Sequence, residues 1–180
     1  MRYDVYGIGN ALVDKEFEIT DSFLKDFTIE KGIMTLVDHE QQESLLTELT
    51  NRYGIKTRTG GGSAANTLYA VSQFGGNAFY SCRVANDETG DFFMDQLGHH
   101  NIETNKNSQR VDGVSGRCLV MVTPDAERTM LTYLGVSDNI SVSEMDFEAA
   151  SNCEYLYLEG YLVTSDTARS AIIEMKEYAK

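Results

Sequence analysis

The feature that most constrains this chain is the alternation of short apolar strand-like segments with amphipathic helical ones along its 180 residues. Residues 3–9 gather Tyr, Val and Ile ahead of Gly-Ile-Gly-Asn, which reads as a strand running into a turn, with Asn10 and Asp14 just past its end. Residues 15–19 and 32–37 read as further strands, and Asp38, with Gln41 three positions on, marks the N-cap of a helix to about residue 50. Residues 51–60 are polar and read as a loop. A helix is expected over 63–74, with Ala64, Leu68 and Val71 on one face and Gly75-Gly76 as a left-handed stop. A strand over 78–84, an amphipathic helix over 88–100 carrying Phe92, Phe93 and Leu97, a strand over 154–158 and a helix over 165–180 complete the series. Such alternation predicts an α/β fold, a parallel sheet flanked by helices.

One segment breaks the alternation. Residues 116–123 and 129–134 are strand-like and flank Pro124-Asp125-Ala126-Glu127, a turn sequence, so a hairpin is expected inside an otherwise α/β chain. With the strands near 15–19 and 32–37 it would build a small β-sheet lid over one edge of the main sheet.

Composition narrows the function classes. With 42% hydrophobic residues the chain can bury a real core. A net charge of −13 disfavours nucleic-acid partners. No apolar run approaches the length of a membrane span, and the start Met-Arg-Tyr-Asp-Val-Tyr lacks the layout of a signal peptide, so no membrane association and a cytoplasmic location are expected. Cys82, Cys118 and Cys153 are odd in number and far apart, which suits buried thiols better than a disulfide framework. His39, His99 and His100 lack metal-ligand spacing, and no metal ligands are assigned in this chain.

Two phosphate-binding motifs fail on inspection. Gly7 to Leu12 departs from the dinucleotide fingerprint because Leu12 stands where a third glycine belongs, and Thr59 to Thr67 has no lysine for a Walker loop. The run Gly60-Gly61-Gly62 before a helix still asks for a reason. Bare backbone at a helix start admits close approach and offers N–H groups to hydroxyl or anionic ligands; a plain tight turn is the alternative. In open α/β sheets ligands gather at the carboxyl ends of strands, and Asn10, Asp14 and Glu159 are delivered to that edge.

Gly7-Ile8-Gly9-Asn10-Ala11-Leu12-Val13-Asp14, Gly61-Gly62-Ser63-Ala64-Ala65-Asn66-Thr67 with Gly75 and Gly90 after it, Asp125 to Gly135, and Tyr157-Leu158-Glu159-Gly160 follow one another in an order and spacing that resemble the PfkB family of carbohydrate kinases, in its adenosine-kinase-like branch. The resemblance covers essentially the whole chain. It implies a ribokinase-like sheet with a β lid, residues 1–180 being the N-terminal part of one domain. It implies that Asp14 accepts hydrogen bonds from neighbouring sugar hydroxyls, that Asn10, Asn66, Ser63 and the Gly61 and Gly62 backbones line the same site, and that Glu159 contacts sugar or metal-bound water. Met34, Tyr133 and Leu134 would line an apolar pocket for a base, with core packing as their alternative. Arg128 would reach the transferred phosphate when the lid closes, with a solvated hairpin charge as its alternative.

The same resemblance marks what is missing. The family's catalytic aspartate lies in a Gly-Ala-Gly-Asp run and its magnesium is organised by an Asn-x-x-Glu motif; neither occurs in the 180 residues. No catalytic base is therefore assigned here, and ATP and Mg2+ are expected to be held mainly by residues beyond Lys180. The expected activity of the complete protein is phosphorylation of the primary hydroxyl of a nucleoside or sugar, adenosine first. A ribose- or fructose-type kinase and a non-catalytic sugar-binding module are the alternatives. Homodimerisation through the lid sheet is a further expectation.

Overall fold

In the structure, a computed structural model that describes residues 2–105 and 110–178, the chain builds two sheets joined end to end. β1 (Tyr3–Ile8) runs through a short turn into β2 (Leu12–Glu18), followed by α1 (Asp21–Asp26), β3 (Met34–Leu36), α2 (His39–Tyr53) and β4 (Thr57–Gly61). Then come α3 (Ser63–Gln73), β5 (Ala78–Ser81), α4 (Glu88–His99), β6 (Ile102–Thr104) and the hairpin β7 (Gly116–Val122) and β8 (Arg128–Tyr133). α5 (Phe147–Ser151), β9 (Cys153–Leu158) and α6 (Asp166–Tyr178) end the described chain; the last two residues of the helix expected over 165–180 lie outside it.

The first sheet has the order β6-β5-β1-β9 and is parallel throughout. Its inner strands are covered on both faces, as parallel sheets require, whereas the edge strand β9 leaves Tyr155 64% exposed. Tyr6, Phe79 and Leu156 share a register row and pack against α5 and α6, in a core that includes Ile172 and Met175. Val5, Ala78 and Tyr80 face the other way, towards Leu68 of α3 and Phe93 and Leu97 of α4. This is the α/β architecture that the alternation predicts.

The second sheet has the order β3-β8-β7-β2-β4 and is mixed: β2 runs parallel to β7 and antiparallel to β4, while β7 and β8 form the hairpin. Strand periodicity gives it two unlike faces. Phe17, Leu119, Met121 and Leu131 point to one side and are buried under α1 and α2 with Phe23, Leu24, Leu45 and Leu49. The opposite side carries Asp14.

Three expectations are corrected. Residues 51–60 are not all loop, because Thr57–Gly61 is strand β4, an edge strand whose alternating polar residues hide the period. Asp14 lies inside β2, since that strand begins at Leu12. The second sheet has five strands rather than four, the glycine run being the end of the fifth. The cap expectations hold: the Asp38 side chain accepts from the Gln41 N–H at 2.8 Å, and Gly75 has φ of +85° after α3. Among the described residues no helix is long and apolar enough to cross a membrane.

Leu119 sits at the centre of the covered face, fully buried. Leu119→Ala should cost about 2–5 kcal/mol by urea denaturation, the usual range for a cavity in a packed core. A loss under about 1 kcal/mol would show that α1 and α2 collapse onto the sheet when the side chain is removed.

Candidate active site

The site grows from the junction between the sheets. β1 ends at Ile8, the chain turns through Gly9-Asn10-Ala11, and β2 begins; β4 comes back alongside β2 and passes into α3 through Gly62 alone. The Leu12–Gly61 and Asp14–Thr59 pairings bring the two segments together. Gly62 has φ of +97°, and a Cβ there would stand 2.5 Å from the Asn10 carbonyl oxygen, so both conformation and space exclude a side chain.

Glu159, at the end of β9, ties this junction together. It is 2% exposed. Its Oε2 accepts the Asn10 N–H at 2.6 Å, and its Oε1 accepts Ser63 Oγ at 2.5 Å and the Ala64 N–H at 3.2 Å. The helix N-terminus that the glycine run opens towards an anion is thus met by a carboxylate of the chain itself. The Tyr80 hydroxyl adds a hydrogen bond to the Asn10 carbonyl at 3.0 Å, and its burial holds the phenol well above its usual pKa, so it remains a donor.

Asp14 is the opposite case. A Cβ on Gly61 would lie 2.4 Å from its Oδ1, so the carboxylate rests against bare backbone. Among the described residues its carboxylate accepts no hydrogen bond; burial raises its pKa to about 6, opposed by the nearby charge of Arg128 and aided by Glu16. Asn10 Oδ1, close by in the junction, is buried with no hydrogen-bond partner. Two acceptors without donors at one edge are a receptor for a ligand that brings hydroxyl or amine protons.

Asn10, Asp14, Gly61, Gly62, Ser63 and Glu159 are therefore brought together, and Arg128 reaches them through its charge. Leu134 lies at the rim of the junction, its carbonyl oxygen 2.8 Å from where a Cβ on Gly116 would be. Met34 shares the Asp14 face but belongs to the far edge strand and is 40% exposed. Tyr133 is not with them. It pairs with Arg117 on the reverse face and packs against His39 of α2, ring centroids 5.3 Å apart. Asn66 starts its own course one turn into α3: its side chain is exposed and lines a pocket between α3, α4 and β4.

Register supplies residues that sequence reasoning missed. Asp14, Cys118 and Thr132 form one row across β2, β7 and β8, with Leu12, Val120 and Met130 on the same face. Thr132 Oγ1 donates to Cys118 Sγ at 3.3 Å, and burial pushes the thiol up to about 12, which makes Cys118 a wall rather than a nucleophile. The only sequence signal for these was the period of two along the hairpin, which becomes informative once the partner of Asp14 is known.

The family model for pfkB family carbohydrate kinases matches residues 33–180. The chain belongs to that family. A guanosine-inosine kinase of Escherichia coli (strain K12) is 26% identical over 182 residues, covering 98% of this chain and 42% of that protein. An adenosine kinase structure from Sinorhizobium meliloti aligns with TM-score 0.89 at 34% identity, covering 99% of this chain and 54% of that one. A structure of a probable sugar kinase protein from Rhizobium etli CFN 42 aligns with TM-score 0.89 at 33% identity, over 99% and 53%. This pfkB-family chain thus spans about half the length of those relatives.

Two predictions follow from the two carboxylates of this junction. The folded pKa of Asp14, about 6, lies above the ordinary 3.8, so the fold holds that proton more tightly than the unfolded chain does. The resulting stability is fully present below pH 3.8 and is lost as pH rises through about 6. Asp14→Asn should gain about 2–3 kcal/mol near pH 8 and close to nothing below about pH 4, read from urea curves at each pH. A gain that does not change with pH would mean that Asp14 is solvated.

Glu159→Gln keeps the shape but replaces an all-acceptor group with one that presents an N–H2 to donors already in place. It should cost about 2–4 kcal/mol and lower the hydrogen-exchange protection of the Asn10 and Ala64 amides before that of the β7 amides. Protection unchanged at both amides would remove Glu159 from its place as the tie.

Proposed function

We propose that this chain carries the hydroxyl-binding side and lid of a nucleoside kinase, with adenosine, guanosine or inosine as the acceptor and ATP as the donor. The observation that carries the reading is the desolvated, donor-free Asp14 carboxylate set against the bare Gly61 backbone. A pair of ribose hydroxyls would supply its missing donors and a third proton could go to Asn10 Oδ1. The names of the relatives, kinases of adenosine and of guanosine and inosine, support the same class.

A base has a place as well. Leu12, Cys118, Val120 and Met130 make the Asp14 face apolar, which suits a planar base better than the open hydroxyls of a free sugar. Arg128, at the start of β8 and exposed, would stabilise charge on the transferring phosphoryl group as the lid closes. In that transfer the primary hydroxyl gives its proton to a base, its oxygen bonds to the γ-phosphorus, the bond to the β–γ bridging oxygen breaks, and ADP leaves. Among the described residues no group of three or more His, Cys, Asp or Glu could hold a metal ion, so the residues present do not fit a resident Mg2+ and none of them is given that task. We assign the base, the metal and most of the ATP contacts to residues beyond Lys180. For assembly, the exposed Ile33, Met34 and Leu36 beside and on the edge strand β3 are the proposed self-association surface.

The test compares the 180-residue chain with one extended through its downstream coding sequence, in a coupled ADP-release assay with each nucleoside and with ribose. The extended protein should turn over a nucleoside and the short chain should not, because positioning a hydroxyl leaves the base and anion stabilisation unsupplied. Asp14→Ala in the extended protein should weaken nucleoside binding roughly tenfold to a hundredfold and leave ATP binding unchanged. Turnover by the short chain at a comparable rate, or a folded Asp14→Ala with full nucleoside affinity, would overturn the reading.

A further inference from the structure

Behind the glycine strand lies a pocket that the kinase reading does not use. It has a volume of about 290 Å³ and is formed where α3, α4 and β4 meet. Its apolar lining comes from Phe93, Leu97 and Ile102, all buried, and from Tyr69, whose ring packs edge-on against His100 with centroids 4.4 Å apart. The Asn66 and Gln96 amides, the His100 imidazole and the Thr59 residue supply polarity, and the lining holds no carboxylate, lysine or arginine. The Asn66 side chain has no hydrogen bond to a described residue, so its donor and acceptor are both available there.

Size and chemistry select the occupant. A dry cavity of about 150 Å³ lined by aliphatic and aromatic groups takes up benzene. Nearly twice that volume, with an aromatic wall and the amides of Asn66 and Gln96, fits two fused rings bearing ring nitrogens. The absence of fixed charge in the lining argues for a neutral molecule.

Position makes the pocket more than a hole. Gly60 faces it, with a Cβ there lying 3.7 Å from Gln96 and 3.8 Å from Phe93, whereas Gly61 faces the Asp14 carboxylate. Strand geometry sets these two faces one residue apart. Whatever presses on Gly60 displaces the backbone against which Asp14 rests.

We propose that this pocket is a second small-molecule site, for a neutral bicyclic heteroaromatic, and that its occupancy is transmitted to the Asp14 site through Gly60 and Gly61. The inference stands apart from the kinase reading, because it needs only the pocket and the strand.

The experiment is an amide-resolved NMR titration of the 180-residue chain with benzimidazole. Saturable shifts are expected at Asn66, Tyr69 and Gly60, together with a shift at Gly61. Gln96→Phe, which fills the pocket from a partly exposed position, should abolish them. Tyr69→Ala, which strips an exposed wall at little risk to the fold, should weaken binding roughly fivefold. Unchanged amides of Leu119 and Met121 confirm that each variant is folded. No saturable shift up to the solubility limit, or shifts that both variants leave intact, would overturn the site. Shifts at Tyr69 with Gly61 silent would overturn the coupling.

Discussion

One buried carboxylate holds the two sheets in register with each other. Glu159 lies where three chain segments end or begin, and it takes a donor from the β1–β2 turn and two from the start of α3. Those segments are far apart in sequence, so nothing local fixes their distance. A charge buried without partners would cost several kcal/mol, and a charge with three donors beside a helix N-terminus is held instead. The geometry of Gly61, Gly62 and Asp14 is inherited from that arrangement, since β4 can lie against β2 only if α3 starts where Glu159 holds it.

Glu159 and Asp14 solve the burial of a carboxylate in opposite ways. Both are acids at the same edge and both are withdrawn from water, but Glu159 is met by protein donors and Asp14 is not. A fold selected only for stability would give Asp14 a partner or replace it. Keeping a desolvated acceptor, with Asn10 Oδ1 unpartnered close by, lowers stability at neutral pH and leaves hydrogen-bonding capacity for a ligand. Arg128 adds a positive charge near enough to oppose the rise in Asp14's pKa while itself remaining exposed.

Much of this was legible in the sequence, and the failures have physical causes. The helices from Asp38 and Ser63 were readable because their caps and apolar faces are local features. The hairpin was readable from its turn. β4 was not, because Thr57, Arg58 and Thr59 form an edge strand exposed to solvent, where the apolar alternation that marks a strand has no core to satisfy. The short α1, α5 and β6 lack the length on which periodicity can be judged. Among the candidate site residues, Asp14, Asn10 and the glycines, singled out through the family resemblance, lie together at the junction, whereas Tyr133 lies on the reverse face because a single residue of register decides which face it takes. Cys118 and Thr132 were invisible for the same reason: their membership of the Asp14 row is a pairing, and pairing is not written in either segment alone.

The glycine run is then best understood as three different solutions laid end to end. Gly62 turns the chain into α3 at a backbone angle that side chains resist, Gly61 admits the Asp14 carboxylate, and Gly60 leaves room on the reverse face against Phe93 and Gln96. No one of these demands explains the others. Because they sit on consecutive residues at the end of one strand, the two faces cannot be altered independently: a side chain at Gly61 would collide with Asp14, and a shift of the backbone to relieve that collision would have to close the space behind Gly60. Bare backbone at this helix start is therefore a compromise between a turn, a carboxylate and a cavity.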